Sequence, residues 1–258
     1  MCGIVGGSPH LLVSNPLAAL THRCPDQAGM QVVETAAGES LLLGMTRLSI
    51  VDTAPMPVPW SAEAATIAFN GEIYNWRQLR QELVELGHTF ATATDTEVVL
   101  AAYREWGKGC LERFNGMFAL AIWDGRGLFL ARDRLGKKPL FFRADGDGFA
   151  FGSELKVFAD LTYAPVEVCD ALEFYFDAYT PFRGVHSLRP GEWLYWDAAE
   201  RDVETNRWWT FPTYVGDIVD LDDAVDEFLQ IFTASCELRR HADVPVAVFL
   251  SGGVDSSL

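Results

Sequence analysis

The stretch MCGIVGG, residues 1–7, places a cysteine directly before a short apolar run that predicts a buried strand. Removal of Met1 would leave Cys2 with a thiol and a free α-amine on the same residue. A thiol is the strongest side-chain nucleophile near neutral pH, and an α-amine, with an ordinary pKa of about 8, can accept its proton directly or through one water. Cys2 could thus be a nucleophile whose own α-amine is the general base, but a cysteine at position 2 does not establish this alone, and the surrounding motifs decide it.

The composition is that of a globular protein and excludes several functional classes. The chain has 258 residues, of which 49% are apolar, and a formal net charge of −16. This acidity argues against a nucleic-acid partner, which would need clustered Lys and Arg. Five cysteines without paired spacing predict neither a disulfide framework nor a metal site. No secretory leader precedes Cys2 and no apolar run could span a bilayer, so we expect a cytoplasmic protein with no membrane partner.

Apolar periodicity predicts interleaved strands and helices, followed by a strand-rich block. Strands are predicted over residues 3–7, 41–44 and 66–69, and helices over 75–86 and 95–106. Further predicted elements are hairpin strands in MFALAIWD, GLFLARD, PLFF and GFAFG, helices over 154–160 and 168–177, and two strands within 192–209. We assign all of these elements to one domain, residues 2–211.

Residues 212–258 predict a linker and the truncated start of a second domain. An amphipathic helix over about 222–240 is followed by the apolar strand VPVAVFL and by the glycine-rich loop SGGVDSS. A strand that leads into a Gly-rich loop is typical of the beginning of a phosphate-binding βα unit.

Eight short motifs occur in the order MCGIVGG, HRCPDQAG, TRLSIVD, FNGEIYN, TDTEVVL, RDRLGKKPLFF, FGSELK and SGGVDSS. This series resembles the glutamine-dependent asparagine synthetases, which are class II glutamine amidotransferases. The resemblance implies an α+β fold, a four-layer αββα sandwich of the N-terminal-nucleophile hydrolase type. The first helix and strand of an α/β domain like that of the ATP pyrophosphatases would follow it.

The resemblance also implies a reaction. Cys2 would attack the side-chain amide of L-glutamine, which is hydrolysed to glutamate and ammonia without a cofactor. Asn70, through its NH₂ group, and Gly71, through its backbone N–H, would donate hydrogen bonds to the tetrahedral oxyanion. In a full-length synthetase the ammonia would serve the ATP-dependent amidation of aspartate to asparagine, a step not expected of these 258 residues alone.

Glutamine carries an α-carboxylate and an α-ammonium group, so a selective pocket needs a fixed cation and a fixed anion. Arg47 resembles the first, because a guanidinium can bind a carboxylate through two parallel hydrogen bonds. Glu72 and Asp95 resemble the second. The complete set that the resemblance implies for glutamine binding is Arg47, Leu48, Ser49, Ile50, Val51, Asn70, Gly71, Glu72 and Asp95.

The SGGVDSS loop resembles the pyrophosphate loop of the ATP-pyrophosphatase fold, in which backbone N–H groups and Ser hydroxyls bind phosphates. The matching residues are Leu250, Ser251, Gly252, Gly253, Asp255 and Ser256. ATP, Mg²⁺ and aspartate are accordingly expected as ligands only of a complete synthetase, and the resemblance also allows a homodimer.

Simpler alternatives stand beside these assignments. Asn-Gly is the strongest short hairpin signal, so Asn70 and Gly71 could form an ordinary turn. Asp95 could cap the helix that begins there, and Arg47 could be a surface charge at a strand end. Position 24, which is glycine in most relatives, is Cys24, and a site that needs φ > 0 would resist its Cβ.

The function has alternatives as well. An amidotransferase of the same family acting on another carboxylate acceptor would share these motifs, and so would a catalytically silent fragment that keeps the fold. A β-lactam synthetase shares the architecture but usually lacks a cysteine at position 2, so Cys2 argues against it.

Overall fold

Two antiparallel six-stranded sheets form the body of the computed structural model, which describes residues 1–24, 26–164, 177–213, 216 and 220–257. The strands are β1 (Gly3–Gly7), β2 (Gln27–Glu34), β3 (Ser40–Arg47), β4 (Trp60–Ala62), β5 (Ala65–Ile73), β6 (Gly116–Trp123), β7 (Gly127–Arg132), β8 (Phe141–Asp145), β9 (Gly148–Gly152), β10 (Val185–Ser187), β11 (Glu192–Asp197) and β12 (Val203–Arg207). The first sheet has the order β10-β8-β9-β1-β3-β2, and the second has the order β12-β11-β7-β6-β5-β4.

Helices flank the second sheet and follow the last strand. They are α1 (Trp76–Glu85), α2 (Asp95–Trp106), α3 (Cys110–Arg113), α4 (Leu221–Arg239) and α5 (Val254–Ser257). Short 3₁₀ segments lie at Pro9–Leu11, Ala18–Arg23, Gly107–Gly109 and Leu155–Val157. Helix α2 begins at Asp95 because the preceding Thr94 caps it, accepting a hydrogen bond from the backbone N–H of Glu97.

Strand alternation divides the buried residues between two cores. In β1, Ile4 joins the main core, which lies between the sheets and continues under α1 and α2, whereas Val5 faces the opposite way. Val5 packs in a smaller core with Leu20 and Val157 from the 3₁₀ segments on the outer face of the first sheet. The order of layers is therefore helices, sheet, sheet and outer segments, which confirms the α+β sandwich predicted from the sequence.

Two predicted elements differ in the structure. Residues 154–160 form only the 3₁₀ segment Leu155–Val157, because the consecutive residues Val157 and Phe158 are both buried in the smaller core. The strand predicted in VPVAVFL is not formed: residues 245–250 are exposed and pair with no strand of the described chain. A lone apolar strand without a sheet to join is not stable in water. The helix predicted over 168–177 lies, apart from its last residue, outside the described residues.

Across the described ranges, no helix combines the length and the apolar content needed to cross a bilayer.

Candidate active site

Cys2 lies where β1 begins, beside the end of β3. The register pairs Gly3 with Thr46, so the chain leaving β3 passes next to the thiol, and the backbone N–H of Leu48 donates to Cys2 Sγ at 3.2 Å. Burial raises the pKa of the Cys2 thiol to about 11, against the lowering effect of this hydrogen bond. The thiol is therefore neutral near pH 7, and nucleophilic attack requires a base beside it.

Asn70 and Gly71 lie inside β5 and not in a turn, so the hairpin interpretation of Asn-Gly is wrong. Asn70 pairs with Ala119 and Gly71 with Phe118 on β6. The Asn70 side chain is 1% exposed, yet neither its Nδ2 nor its Oδ1 has a hydrogen-bond partner among the described residues. A buried amide without hydrogen-bond partners destabilises the folded state by about 1–3 kcal/mol. Such unpaired groups are rare outside functional sites.

Gly71 is required by the close approach of β6. A Cβ built at position 71 would lie 2.4 Å from the carbonyl oxygen of Met117 and 2.7 Å from Cα of Phe118. Both obstacles are backbone atoms, so no rotamer change could relieve the contact. The glycine therefore lets the strand that carries Asn70 run closely beside its neighbour, at the edge of the cleft described below.

Arg47 ends β3 and is 4% exposed, so it is not a surface charge. Its Nη1 donates to Gln27 Oε1 at 2.8 Å and to the carbonyl of Ala54 at 3.3 Å. Its Nη2 donates to the carbonyls of Val51 at 2.9 Å and Asp52 at 2.5 Å. The guanidinium thus holds the segment that follows β3, and its two terminal nitrogens are already engaged there.

Glu72, which is half-buried, and the buried Asp95 form an acidic pair. Burial and the neighbouring Asp95 raise the pKa of Glu72 to about 8, although Lys138 and Arg47 act in the opposite direction. Burial also raises the pKa of Asp95, whose Oδ2 accepts a hydrogen bond from the backbone N–H of Ile73 at 2.9 Å. Neither carboxyl group has a salt bridge with a described residue. An ammonium group entering the site would favour their ionised forms.

A narrow cleft with a cavity volume of about 20 Å³ brings most of the predicted residues together. It is lined by Cys2, Met45, Arg47, Leu48, Ile50, Val51, Phe69, Gly71, Glu72, Asp95 and Thr96. Ser49 and Asn70 do not line it. The backbone N–H of Ser49 donates instead to Asp26 Oδ2 at 2.9 Å. Asp95 is the first residue of α2 and not its cap, so its carboxylate is directed to the end of β5 by the bond to Ile73.

Arg23 is a residue of the site that the sequence did not single out. Its Nε donates to the carbonyl of Cys2 at 2.8 Å, and its Nη1 donates to Glu154 Oε1 at 2.8 Å. Burial alone would raise the pKa of Glu154, but hydrogen bonds from Arg23, Lys156 and His22 lower it to about 2. The HRCPD and FGSELK motifs therefore join in one ionic cluster that fixes the backbone of Cys2.

Cys24 fits its position without backbone strain. Its φ of −159° is extended, so the expected conflict between a side chain and a left-handed backbone does not arise. The side chain is buried, and its sulfur accepts a hydrogen bond from the backbone N–H of Asp26 at 3.4 Å. Cys2 and Cys24 are both free thiols in the structure.

No described residue of the SGGVDSS loop lines this cleft. Gly252 has φ +76°, and the short helix α5 follows directly. The N–H of Gly253 donates to Ser251 Oγ at 3.3 Å, and Ser257 Oγ donates to the carbonyl of Gly253 at 2.8 Å. Leu250 is exposed at the loop entrance.

Comparison with known proteins places the two parts of the chain in described families. Residues 1–209 match the family of the glutamine amidotransferase domain, and residues 227–258 match the asparagine synthase family. Asparagine synthetase [glutamine-hydrolyzing] 3 of Bacillus subtilis is 36% identical over 84% of this chain and 37% of its own length. A putative asparagine synthetase [glutamine-hydrolyzing] of Mycobacterium bovis is 35% identical over 92% of this chain and 40% of its own length. The chain therefore spans well under half of these curated relatives.

Among solved structures, the glutamine phosphoribosylpyrophosphate amidotransferase of B. subtilis, complexed with ADP and GMP, is similar in fold. The TM-score is 0.57 at 20% sequence identity, and the match covers 81% of this chain and 49% of the other. At this identity the similarity concerns the fold, and it agrees with the two-sheet sandwich described above.

Proposed function

Because this chain belongs to the glutamine amidotransferase domain family, we propose that residues 2–211 hydrolyse L-glutamine to glutamate and ammonia. Cys2 is the nucleophile in this proposal, and its own α-amine, freed by removal of Met1, is the base that the half-buried thiol requires. Attack of the sulfur on the side-chain amide carbon gives a tetrahedral oxyanion. Its collapse releases ammonia, and water then releases glutamate from the thioester.

The observation that carries the proposal is the unpartnered amide of Asn70. Both polar atoms of a 1%-exposed side chain lack a partner among the described residues, next to a glycine on the cleft wall. Donors held in place without competing partners are what a developing oxyanion needs, since no reorganisation is required during the reaction. Asn70 Nδ2 and the N–H of Gly71 are the proposed donors.

The remaining contacts support glutamine as the ligand. The acidic pair of Glu72 and Asp95 is suited to an α-ammonium group, which would supply the missing positive charge. The buried Arg47 supplies the charge for the α-carboxylate, and Leu48, Ile50 and Val51 line the cleft on the segment that Arg47 holds through the carbonyl of Val51. These binding roles are part of the proposal.

We propose further that a longer protein containing this chain uses the ammonia to amidate a carboxylate, aspartate being the acceptor indicated by the names of the relatives. The chemistry of the SGGVDSS loop fits a phosphate ligand, because it offers a left-handed glycine, serine hydroxyl groups and the backbone N–H groups of a glycine-rich turn. Ser251, Gly252, Gly253 and Ser256, with Leu250 beside them, would hold ATP, and Asp255 would hold Mg²⁺. ATP would supply the leaving group that activates the acceptor carboxylate. A cytoplasmic location and a homodimer are further parts of this proposal.

The decisive experiment measures glutamate release by the purified chain together with the mass of its N-terminus. Glutamate should form when Met1 is absent, and Cys2→Ala should abolish its formation. If the chain lacking Met1 released no glutamate, or if Cys2→Ala released it at the original rate, the proposal would be wrong.

A further inference from the structure

The segment after α4 touches the wall of the candidate active site through Asp243. Asp243 Oδ2 accepts a hydrogen bond from the backbone N–H of Asp52 at 2.7 Å, and the N–H of Asp243 donates to the carbonyl of Ile50 at 2.9 Å. These two bonds run in opposite directions between the same two chain segments. Asp243 therefore fixes both the position and the direction of residues 50–52, which we call the pocket loop.

The pocket loop has a conformation that needs external support. Asp52 has φ +52°, in the left-handed region, which a non-glycine residue adopts at a cost although Asp tolerates it better than most. Its Oδ2 accepts from the N–H of Ala93 at 3.0 Å, and its Oδ1 accepts from the N–H of Ala54 at 3.1 Å. Its own N–H is satisfied by Asp243.

The same loop holds Arg47 from the inner side. The carbonyls of Val51 and Asp52 both accept hydrogen bonds from Arg47 Nη2. The guanidinium of Arg47 is thus attached to the inside of the loop, and Asp243 is attached to the outside. A displacement of the loop would change the orientation of the buried charge that is proposed to bind the glutamine carboxylate.

Two further contacts place this segment against the site. The Arg239 guanidinium, at the end of α4, lies 4.8 Å from the ring centre of Tyr74, which directly follows β5. Val244 lines one open groove together with Ser49 and Pro55. Residues 239–244 therefore contact the chain at the ends of both β3 and β5, the two strands that supply the cleft.

We propose that Asp243 is a positioning residue for glutamine binding, which ties the shape of the glutamine pocket to the segment that follows the amidotransferase domain. The inference rests on the proposed glutaminase function. Asp243 touches no reacting atom; it acts through the pocket loop and Arg47. Because residues 227–258 match the asparagine synthase family, the contact crosses from one family region to the other. The docked position of the second region then sets the affinity of the first for its substrate.

The test compares Asp243→Ala and Asp243→Asn with Asp226→Ala, an exposed aspartate on α4 that serves as the matched control. Asp243→Ala should raise the KM for glutamine about fivefold with kcat unchanged, which corresponds to one ordinary hydrogen bond lost in an exposed setting. Asp243→Asn keeps a carbonyl acceptor and should restore most of the affinity. Asp226→Ala should leave both constants unchanged.

Hydrogen exchange of the pocket loop, measured without glutamine, separates this inference from the proposed function. The amide of Asp52 should exchange about fivefold faster in Asp243→Ala and at the original rate in Asp226→Ala. An unchanged KM together with unchanged exchange would overturn the inference, even if Cys2-dependent glutamate release stands. Absence of any glutamate release by the chain lacking Met1 would overturn the proposed function, and the role of Asp243 in substrate binding with it.

Discussion

Replacement of Asn70 by Leu should make the protein more stable and nearly inactive. Each buried polar group left unpaired costs about 1–3 kcal/mol, and Asn70 has two such atoms at 1% exposure. Leu has the same branching at Cγ and no polar atom, but its slightly larger volume costs part of the gain through overpacking. We expect a net stabilisation of about 1–2 kcal/mol, which for a chain of this size raises Tm by about 2–8 °C.

The activity should change in the opposite direction. Loss of one oxyanion donor typically lowers kcat by about 10²-fold to 10³-fold. Thermal unfolding followed by calorimetry and glutamate release measured on the same preparation give both quantities. Thr46→Val is the matched control, because Thr46 Oγ1 is likewise buried without a partner among the described residues but is not a proposed oxyanion donor. It should gain stability and keep its glutaminase rate.

Either of two results would refute this reasoning. If Asn70→Leu lowered Tm, the amide of Asn70 would have to form hydrogen bonds in the folded protein, and it would not destabilise the folded state. If Asn70→Leu kept a normal kcat, the amide would not be an oxyanion donor, whatever its effect on stability. The control separates these outcomes from a general response of the sheet to an added methyl group.

Three further predictions concern charge and thiol chemistry. Burial and a neighbouring carboxylate raise the pKa of Glu72 to about 8, so the fraction of ionised Glu72 increases as the pH rises. The affinity of the Cys2→Ala protein for glutamine should therefore increase as the pH rises through 8. The additional substitution Glu72→Gln should abolish this pH dependence. Lys138 is buried and lowers the pKa of Glu72, so Lys138→Met should move this binding profile to higher pH, whereas the exposed Lys137→Met should leave it in place. Cys24 contributes to raising the pKa of Cys2, and both residues are free thiols. Oxidation by hydrogen peroxide should therefore form a Cys2–Cys24 disulfide and stop glutamate release until a reductant is added. Peptide mapping of the oxidised protein that found no such disulfide would contradict this prediction.

The sequence predicts best those elements whose apolar pattern is regular. Helix α2 is found at the predicted bounds, and β1 likewise, because their periodicity and end signals agree. The edge strands β2 and β4 were not predicted, since they are half-buried, carry polar residues and depend on pairing with a neighbour. The apolar segment 244–250 is the opposite case: its sequence predicts a strand, but the structure forms none, because no strand of the described chain pairs with it.

The candidate site could be predicted only as far as local motifs reach. Cys2, Asn70 and Gly71 belong to short, recognisable stretches, and the structure brings them to one region. Arg23 was not identified, because its partner Glu154 lies 131 residues away in the chain and nothing local indicates the pairing. Asp243 was not identified for the same reason, since its contact with Asp52 spans 191 residues.

The site concentrates polar groups that the protein itself leaves uncompensated. The side chain of Asn70 has no partner in the described chain. The half-buried Glu72 and the buried Asp95 lie close together without a salt bridge to a described residue, and Nη2 of Arg23 is buried without an acceptor. Each of these lowers stability, so the surrounding apolar core must offset them. Glutamine is a free amino acid with an amide side chain. Its side-chain carbonyl oxygen could accept a hydrogen bond from Asn70, and its ammonium group could pair with Glu72 and Asp95. The deficits at Asn70 and at the acidic pair are therefore complementary to groups of glutamine, the proposed substrate, and this agreement is what the proposed function accounts for.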